Sequence, residues 1–378
     1  MNNITQGLLK AGHSVKVLAI NTPKYFVEAT HLPKEYLNNT GFETVFINTN
    51  IKVSKAFWNL FSNKSYNIER FISQDFEEKI KQIISENDFD IVQLESMYVA
   101  PYIETIRKYS KTKIILRAHN IEHVIWQRLI DSCSSPVKKL YLKHLTKTLK
   151  KFELGVLNKV DGIAAITPCD AKYFVQAGCV KPVISIPIGI DNNKIPAANQ
   201  EREFPGLFHL GSMNWMPNEE GIYWFLEMVW PGLIQELPEV HLHLAGRKMP
   251  QWLQQINMPG VNVQGEVKNA FEFMHSKTVM IVPLLAGSGM RVKIIEGMAC
   301  GNTIISTSTG AEGISYTDGV NILIADTPDE FIQQIKKCID NPSKCVEIGK
   351  QAQKLVAEEY DNDVITGRLV EFYEGMKK

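Results

Sequence analysis

The sequence has no apolar run approaching the ~20 residues that a membrane-spanning helix requires. Its N-terminus also lacks the basic-then-apolar layout of a secretory signal, so a cytoplasmic protein is expected. The six cysteines are scattered without a zinc or redox spacing, which predicts reduced, mostly buried thiols and no metal site. No internal repeat or low-complexity segment is present, and this excludes solenoid architectures.

Net charge is zero over the whole chain, but the two halves differ in sign. Residues 1–190 hold 25 Lys and Arg against 17 Asp and Glu, whereas the remainder holds 16 against 24. A basic half indicates an anionic partner such as a membrane surface or a lipid phosphate. Nucleic acid fits less well because no basic-aromatic recognition motif accompanies the charge.

The chain has 378 residues, which is more than one hydrophobic core usually serves, and two domains are therefore expected. Short β-branched runs alternate with longer amphipathic stretches, as in parallel sheets with helical crossovers. The predicted strands are Val15–Ile20, Glu43–Asn48, Ile91–Glu95, Lys113–Ala118, Gly162–Thr167, Val183–Ile186, Leu207–Leu210, Val240–Ala245, Val261–Gly265, Val279–Val282, Thr303–Thr307 and Ile322–Ala325. The fold class is therefore α/β, with two Rossmann-like, doubly wound domains.

The alternation of strand-like and helix-like stretches restarts after residues 191–202. These residues are polar and have no hydrophobic periodicity, so we interpret them as the linker. An N-terminal domain is expected over residues 1–190 and a C-terminal domain over 203–355. Residues 356–378 are predicted to form a C-terminal helix that packs back toward the first domain. Because ligands bind beyond the carboxyl ends of such strands, function is expected in a cleft between the domains.

The strongest motif lies between Pro283 and Gly313, where a strand end is followed by a small, glycine-containing loop and a helical pattern. The loop contains Gly287, Ser288 and Gly289, and the helix is predicted from about Met290. This order presents backbone N–H groups and the positive end of a helix dipole to the loop. It predicts a site that holds phosphates without a metal.

Two cations, Arg291 and Lys293, fall in the predicted first helical turn, where they oppose the helix dipole unless an anion compensates them. Glu296 lies one turn beyond Lys293 and could accept hydrogen bonds from two ribose hydroxyls. The alternative is that Lys293 and Glu296 only pair with each other across one helical turn.

This string resembles the donor-binding segment of retaining GT-B glycosyltransferases of family 4 (glycosyl transferases group 1), particularly bacterial polysaccharide and glycolipid enzymes. The family carries a Glu-x7-Glu pair, and its second Glu, which holds the nucleotide ribose, corresponds to Glu296. The first position, which contacts the transferred sugar, is Ser288 here. The resemblance implies that the amides of residues 288–291, together with Gly287 and Lys293, hold the diphosphate.

A second stretch, Leu207–Pro231, resembles the strand and glycine turn that open the family's C-terminal domain. Gly211 and Ser212 form the turn, but Ser212 and Pro217–Asn218 replace the family's phosphate-binding Arg and Lys. We hypothesise that Arg291 and Lys293 supply that charge instead. Three tryptophans nearby are expected to serve packing rather than ligand contact: Trp215, Trp224 and Trp230.

The strand Val261–Gly265 and the turn after it resemble the family's segment before the base pocket, which implies that backbone groups near Val267 read the base.

In the first half, His119 follows a strand at the position where the family often has a His directed at the donor sugar. The resemblance implies that His119 positions the sugar and stabilises the departing charge; a packing or capping role is the alternative. Glu95 and Glu122 also follow strand ends, where acceptor hydroxyls could bind.

Two cationic stretches account for the basic half, Ile51–Arg70 with its aromatic residues and Lys138–Lys151 with its leucines. Both could lie peripherally on the inner face of an anionic membrane. An ordinary solvated helix is the favoured alternative for the second stretch.

Family members begin with a strand and a glycine-rich turn, whereas this chain starts inside the helix that would follow them. The sequence is therefore expected to be a truncation or to contain an incomplete first domain with two unpaired sheet edges. A non-catalytic, nucleotide-sugar-binding remnant is the main alternative function. A GT-B sugar-nucleotide epimerase would need matched acid/base groups from both halves, which the sequence does not provide.

The resemblance implies a metal-independent, retaining transfer of a hexose-type sugar from a nucleoside diphosphate sugar to a saccharide or lipid-linked acceptor. The nucleotide sugar is a co-substrate, and no separate cofactor is expected. The catalytic candidates are His119 and Ser288.

Overall fold

A computed structural model of the chain describes residues 2–131, 133–197, 201–287 and 289–377. The chain divides into two compact units. Unit 1 comprises Met1–Pro187 and Thr366–Lys378, and unit 2 comprises Ile188–Ile365. Both units have parallel sheets flanked by helices, which confirms the predicted α/β fold class.

Within its described residues, unit 1 contains six strands in two separate parallel sheets. The strands are β1 Leu18–Asn21, β2 Glu43–Phe46, β3 Ile91–Glu95, β4 Lys113–Ala118, β5 Gly162–Ala165 and β6 Val183–Ser185. β1 pairs with β2, and the other four strands follow the order β3-β4-β5-β6. Within the described residues neither β1 nor β2 is hydrogen-bonded to β3.

The helices of unit 1 cover these strands and bury an apolar core that includes Ile114, Ile163 and Phe174, beside a smaller cluster of Ile68, Met97 and Leu149. They are α1 Asn2–Lys10, α2 Lys34–Thr40, α3 Val53–Asn59, α4 Tyr66–Glu69, α5 Gln74–Glu86, α6 Ile103–Tyr109, α7 Glu122–Asp131, α8 Pro136–Val156 and α9 Pro168–Gln176. Short 3₁₀ turns occupy Ala29–His31 and Met97–Tyr102.

The part of unit 2 that the structure describes contains a single six-stranded parallel sheet with the order β12-β11-β10-β7-β8-β9. Its strands are β7 Gly206–Leu210, β8 His241–Ala245, β9 Val261–Gly265, β10 Val279–Val282, β11 Thr303–Ser306 and β12 Leu323–Ile324. This is the doubly wound order, in which the chain starts at a central strand, builds outward, and then crosses over to build outward on the other side. All twelve predicted strands are therefore present, with ends that differ by at most a few residues.

The helices of unit 2 pack on both faces of this sheet around Trp230, Phe225 and Phe331, which are fully buried. They are α10 Met216–Trp224, α11 Trp230–Glu236, α12 Gln251–Gln254, α13 Ala270–His275, α14 Val292–Ala299, α15 Pro328–Asp340 and α16 Pro342–Glu359. A π-helical turn, Phe225–Val229, joins α10 to α11. The last helix, α17 Asn362–Lys377, begins in unit 2 and ends in unit 1.

Several helices start with the same local device, a polar cap followed by proline. Ser135, Thr167 and Thr327 each accept a hydrogen bond from a backbone N–H of the first turn, and a proline follows each of them. The cap satisfies an N–H that has no partner inside the helix, and proline at this position gives up no hydrogen bond. At α15 the side chain of Glu330 also reaches back to Thr327 and completes a capping box.

Some predicted boundaries differ from the structure. The predicted linker contains a 3₁₀ turn at Asn192–Lys194, and residues 198–200 lie outside the described residues. Residues 356–378, predicted as one helix, include the end of α16 and all of α17, because the chain turns at Tyr360–Asp361. Among the described residues, no helix is both long and apolar enough to cross a lipid bilayer.

Candidate functional site

The strand order of unit 2 creates a topological switch point between β7 and β10. The chain builds from β7 toward β9 on one side and from β10 toward β12 on the other. In open parallel sheets, ligands bind beyond the carboxyl ends of the strands beside such a point. The predicted residues Gly211 and Ser212 follow β7, and the loop 283–291 follows β10. The two segments predicted to bind the donor therefore flank the switch point.

The turn after β7 is fixed against the turn after β8. Gly211 donates its N–H to the carbonyl of Ala245 at 3.1 Å, and Asn218 Nδ2 donates to the carbonyl of Ser212 at 3.0 Å. Gly246 has φ +148°, and a Cβ at this position would overlap the carbonyl oxygen of Gly211. Only glycine permits this approach, so the turn is pre-formed before any ligand arrives.

The loop after β10 turns sharply before α14 begins. Gly287 has φ +132° and Gly289 has φ +81°, a backbone region that favours glycine. Ser288, predicted to contact the donor, lies outside the described residues. Met290 is buried and anchors the end of the loop.

The helix after this loop starts later than predicted. Helix α14 begins at Val292 rather than at about Met290, because Arg291 has an extended backbone with φ −87° and ψ 92°. Arg291 is therefore the N-cap residue, and Lys293 is the second helical residue. No acidic residue lies in the first turn of this fully described helix. The positive end of the helix dipole and the two cations thus act at one place.

Arg291 folds back over the loop instead of extending into solvent. Its Nη1 donates to the carbonyl of Gly289 at 2.6 Å, and its guanidinium carbon lies 5.0 Å from the centre of the Trp215 ring. Trp215 follows Ser212 by three residues, so the stacked guanidinium connects the loop after β10 with the turn after β7. Stacking on an indole face stabilises a guanidinium by cation–π attraction and fixes its plane.

Lys293 and Glu296 form an ion pair within α14. Lys293 Nζ lies 2.7 Å from Glu296 Oε2, and the glutamate side chain is only 21% exposed. The structure thus contains the alternative to ligand binding, a Lys293–Glu296 pair across one helical turn. At the other end of α14, Arg202 donates to the carbonyls of Cys300 and Gly301 and offsets the negative end of the dipole.

A shallow, open pocket lies at the carboxyl ends of β8 and β9. It is lined in part by Lys248, Gln264 and Glu266. Gly246 donates its N–H to the carbonyl of Gly265 at 2.7 Å, which holds the two strand ends together. Val267, the predicted base-reading position, follows Glu266 directly.

In unit 1, His119 follows the end of β4, and Glu95 is the last residue of the neighbouring β3. His119 Nε2 lies 2.7 Å from Glu95 Oε2, and Arg117 Nε lies 3.7 Å from the same oxygen. Burial raises the pKa of Glu95, but the hydrogen bond with His119 and the charge of Arg117 outweigh it, so the pKa lies below its ordinary value. Gln93, which contacts Tyr373 of α17, donates to the other carboxylate oxygen at 2.5 Å.

Glu122 belongs to a second, more buried network beside His119. Its Oε2 accepts from the Tyr98 hydroxyl at 2.8 Å. Burial raises the pKa of Glu122, Tyr98 opposes this shift, and the charge of Glu153 adds to it. Glu153 itself accepts from the backbone N–H of Glu122 at 2.9 Å and bonds His123 at 2.5 Å. Because these groups bond one another, the network serves to hold the start of α7.

Residues 205–341 match the family model of glycosyl transferases group 1. This match lies within unit 2 and contains Gly211, Val267 and the whole of α14. Solved structures similar to the chain are glycosyltransferases with two Rossmann-like domains. The fold is GT-B. The family match supports sugar transfer as the general activity, that of a transferase.

Two solved GT-B structures illustrate the likeness. Sucrose-phosphate synthase from Thermosynechococcus elongatus has a TM-score of 0.67 at 15% identity, over 99% of this chain and 91% of that chain. Anabaena HepE in complex with UDP has a TM-score of 0.65 at 15% identity, over 96% of this chain and 100% of that chain. A curated relative, an uncharacterized 44.6 kDa protein in the cps region of Klebsiella pneumoniae, is 24% identical and covers 75% of this chain and 74% of its own length.

Two partners in these sites were not found from the sequence. The stacking of Trp215 on Arg291 joins residues far apart in the chain, and Trp215 was expected to serve packing alone. The sequence places Glu95 at a strand end but does not predict its pairing with His119. A signal for the second pair exists, since both residues end adjacent parallel strands and therefore meet at the same sheet edge.

Proposed function

We propose that the chain transfers a hexose-type sugar from a nucleoside diphosphate sugar to a saccharide or lipid-linked acceptor, with retention of configuration. The observation that carries the proposal is the loop between β10 and α14 at the switch point of unit 2. There Gly287 and Gly289 take positive φ, and Arg291 is stacked in place over Trp215. Backbone amides, a helix N-terminus and two cations suit a diphosphate.

In this proposal each group on the donor side has one task. The amides of residues 288–291 and Lys293 bind the diphosphate, with Arg291 supplying the charge that the family's Arg and Lys provide after β7. Glu296 accepts hydrogen bonds from the ribose hydroxyls, and its partner Lys293 turns from Glu296 toward the β-phosphate when the donor binds. Backbone groups near Val267 contact the base.

On the sugar side, we assign His119 to the donor hexose, held by Glu95 behind it. The bond between the anomeric carbon and the β-phosphate oxygen breaks, the acceptor oxygen bonds to that carbon from the same face, and the acceptor proton leaves with the diphosphate. As this bond breaks, negative charge develops on the diphosphate. Arg291, Lys293 and the helix N-terminus stabilise that charge.

The donor tested first should be UDP-glucose. Solved structures of the similar HepE contain UDP and UDP-glucose. Position 288, where the family has a Glu that contacts the sugar, carries Ser, so the preferred hexose is best determined by comparing several UDP- and GDP-sugars.

Calorimetric titration with UDP and GDP tests the donor assignment. The wild-type chain should bind one of them, and Glu296→Ala should weaken binding by about tenfold or more, because ribose loses a charged hydrogen-bond acceptor. The matched control is Glu347→Ala, since Lys344 and Glu347 form a similar ion pair one turn apart on α16, away from the loop. Equal affinities for wild type and Glu296→Ala would refute the assignment.

A non-catalytic, nucleotide-sugar-binding protein remains the second candidate, and the Ser at position 288 is the observation that favours it. It predicts the same titration result, but no release of sugar from any donor. Binding with donor hydrolysis selects the transferase, and binding without turnover selects the second candidate.

A further inference from the structure

Unit 1 carries an exposed apolar surface that its sugar-transfer chemistry does not use. Helix α3 and the residues around it expose Val53, Phe57, Trp58 and Phe61, and Trp58 is 70% and Phe61 77% exposed. The three aromatic rings contact one another, with centroids 5.8 to 6.3 Å apart. Soluble proteins seldom leave such a contiguous apolar cluster in water unless it meets a partner.

This cluster is fixed on the body of unit 1. Tyr66 accepts from the N–H of Lys52 at 2.9 Å, and the buried Asn59 donates to the carbonyl of Lys64 at 3.1 Å and to Glu69 Oε2 at 3.2 Å. These bonds tie both ends of the segment to α4. The rings are therefore held outward by an ordered base, which lowers the entropic cost of burying them in a partner.

Helix α8 extends the same surface. His144 Nε2 lies 3.2 Å from the carbonyl of Asn59, so the face of α8 that carries His144 adjoins the end of α3. Leu140 and Val137 precede His144 by four and seven residues and lie on that face. Leu140 is 72% and Val137 82% exposed. We call the exposed apolar residues of α3, its following loop and the first turns of α8 the apolar ledge.

The charge around the apolar ledge has one sign. Residues 50–68 contain three lysines and residues 136–152 contain six, and neither range contains an Asp or Glu. In the described part of the chain, Lys64 is the one lysine of these nine with a carboxylate partner, Glu69 at 3.8 Å. The other eight lysines have no carboxylate partner within the described residues and lie near exposed aromatic rings. Such a surface complements one that is anionic outside and apolar beneath.

We propose that the apolar ledge docks unit 1 onto an anionic lipid bilayer, with Phe57, Trp58 and Phe61 entering the headgroup region. The lysines of residues 50–68 and of α8 then contact lipid phosphates. A second copy of the chain fits less well, because an isologous contact would bring nine lysines against nine. The apolar side chains alone would accept either partner, whereas the charge selects the lipid.

The position of the apolar ledge within unit 1 adds a consequence. A crossover between parallel strands returns the chain from the carboxyl edge of the sheet to the amino edge, and α8 ends at Val156 just before β5. Glu153, in the last turn of α8, bonds the start of α7 just after His119, so the first turns of α8 lie on the carboxyl side of the sheet, about 20 Å along the helix axis from that point. If the proposed sugar transfer holds, this places the lipid surface on the side of unit 1 from which a lipid-linked acceptor would reach His119.

Vesicle sedimentation of the full chain tests the docking without any activity assay. Wild type should sediment with vesicles of phosphatidylethanolamine and phosphatidylglycerol in equal parts, should not sediment with phosphatidylcholine vesicles, and should be released at high salt because screening weakens the lysine contacts. Failure to bind the anionic vesicles at low salt would refute the proposal, whatever the outcome for sugar transfer.

Two variants with matched controls separate the contributions. F57S/W58S/F61S should lose at least about tenfold in partition onto anionic vesicles, whereas M228S/V346S/V180S, which removes three exposed apolar side chains elsewhere, should not.

K52Q/K55Q/K64Q should lose on the order of fivefold in the same partition per lysine replaced, whereas K344Q/K350Q/K354Q on α16 should bind the vesicles as wild type does.

Far-UV circular dichroism and thermal unfolding like those of wild type show that unit 1, which carries these substitutions, is folded in each variant. Wild-type partition of F57S/W58S/F61S onto anionic vesicles would refute the role of the rings. A wild-type dimer in sedimentation velocity that this variant converts to a monomer, without vesicle binding by either protein, would assign the apolar ledge to a second copy and also refute the proposal.

Discussion

His119 Nε2 and Glu95 Oε2 lie 2.7 Å apart at the ends of the adjacent strands β4 and β3. Parallel pairing in register sets this distance, since Glu95 is opposite Arg117 and His119 follows two residues later. Arg117 is almost fully buried and lies 3.7 Å from the same carboxylate oxygen, so the carboxylate is held between two basic groups. The imidazole that we assign to the sugar is therefore oriented by a fixed anion.

Glu95→Gln should lower kcat for sugar transfer by about tenfold with little change in KM, because the imidazole loses its orienting charge while donor binding in unit 2 is intact. The pH–rate profile should also change, which a purely structural residue would not cause. The control is Glu104→Gln, which removes an exposed ion pair with Lys159. A profile identical to that of wild type would exclude a role for Glu95.

The lowered pKa of Glu95 also predicts the sign of its contribution to stability. A carboxyl with a lowered folded-state pKa stabilises the fold above its unfolded-state pKa and loses that contribution as the pH falls through the folded value. Acid unfolding of wild type should therefore be steeper than that of Glu95→Gln. Superimposable acid-unfolding curves would contradict this.

Arg291→Lys keeps the positive charge but removes the planar stack on Trp215, so donor affinity should fall by about tenfold. Trp215→Leu should cause a similar loss, and the double variant should lose less than the two losses combined, because each change removes the same contact. Titration with the preferred nucleoside diphosphate measures all three. Fully additive losses would show that the stack does not orient Arg291 for the ligand.

Gly246→Ala should destabilise unit 2 by about 3 kcal/mol or more, since the new Cβ overlaps the carbonyl oxygen of Gly211 and the backbone has φ +148°. Gly265→Ala is the matched control, because Gly265 has φ +71° but open space around its Cβ position. It should lose only about 1 kcal/mol from backbone strain. Thermal unfolding distinguishes the two, and equal losses would show that the close approach to Gly211 is unimportant.

His209 of β7 predicts a pH dependence of stability. Burial lowers its pKa from 6.5 to about 4, and the hydrogen bond of Nδ1 to the carbonyl of Ile281 offsets this only in part. Between these two values the unfolded chain binds a proton that the folded chain does not, so stability falls with falling pH by about 3 kcal/mol in total. His209→Gln should flatten this dependence, whereas the exposed His241→Gln should not. A steep dependence that survives in His209→Gln would assign it to other groups.

The strands could be predicted because they are short apolar runs, and β5, β7, β10 and β11 are buried along their whole length, as central parallel strands are. Their ends shifted where a polar residue continues the run, as at Thr307, which follows β11 and whose hydroxyl donates to the carbonyl of Leu284. The start of α14 could not be predicted from periodicity, because it depends on the extended backbone of Arg291, and the Arg291 side chain is fixed by Trp215.

The glycine loop and the position of Glu296 could be found from local sequence, because a strand, a small loop and a helix follow one another directly. The contacts that complete the two sites join different strands. Trp215 reaches Arg291 only because β7 and β10 are neighbours, and Glu95 reaches His119 only because β3 and β4 are neighbours. Strand order is decided by packing across the whole unit, so a single sequence does not specify these pairs in advance.

We propose that the chain catalyses sugar transfer with retention, and donor hydrolysis without acceptor is the decisive assay. Wild type incubated with UDP-glucose and the other UDP- and GDP-sugars should release sugar slowly from one donor. NMR should show that the released sugar first has the anomeric configuration of that donor. His119→Ala should abolish release while nucleotide binding stays intact. Sugar released first in the opposite configuration would contradict retention, and nucleotide binding without release from any donor would contradict catalysis.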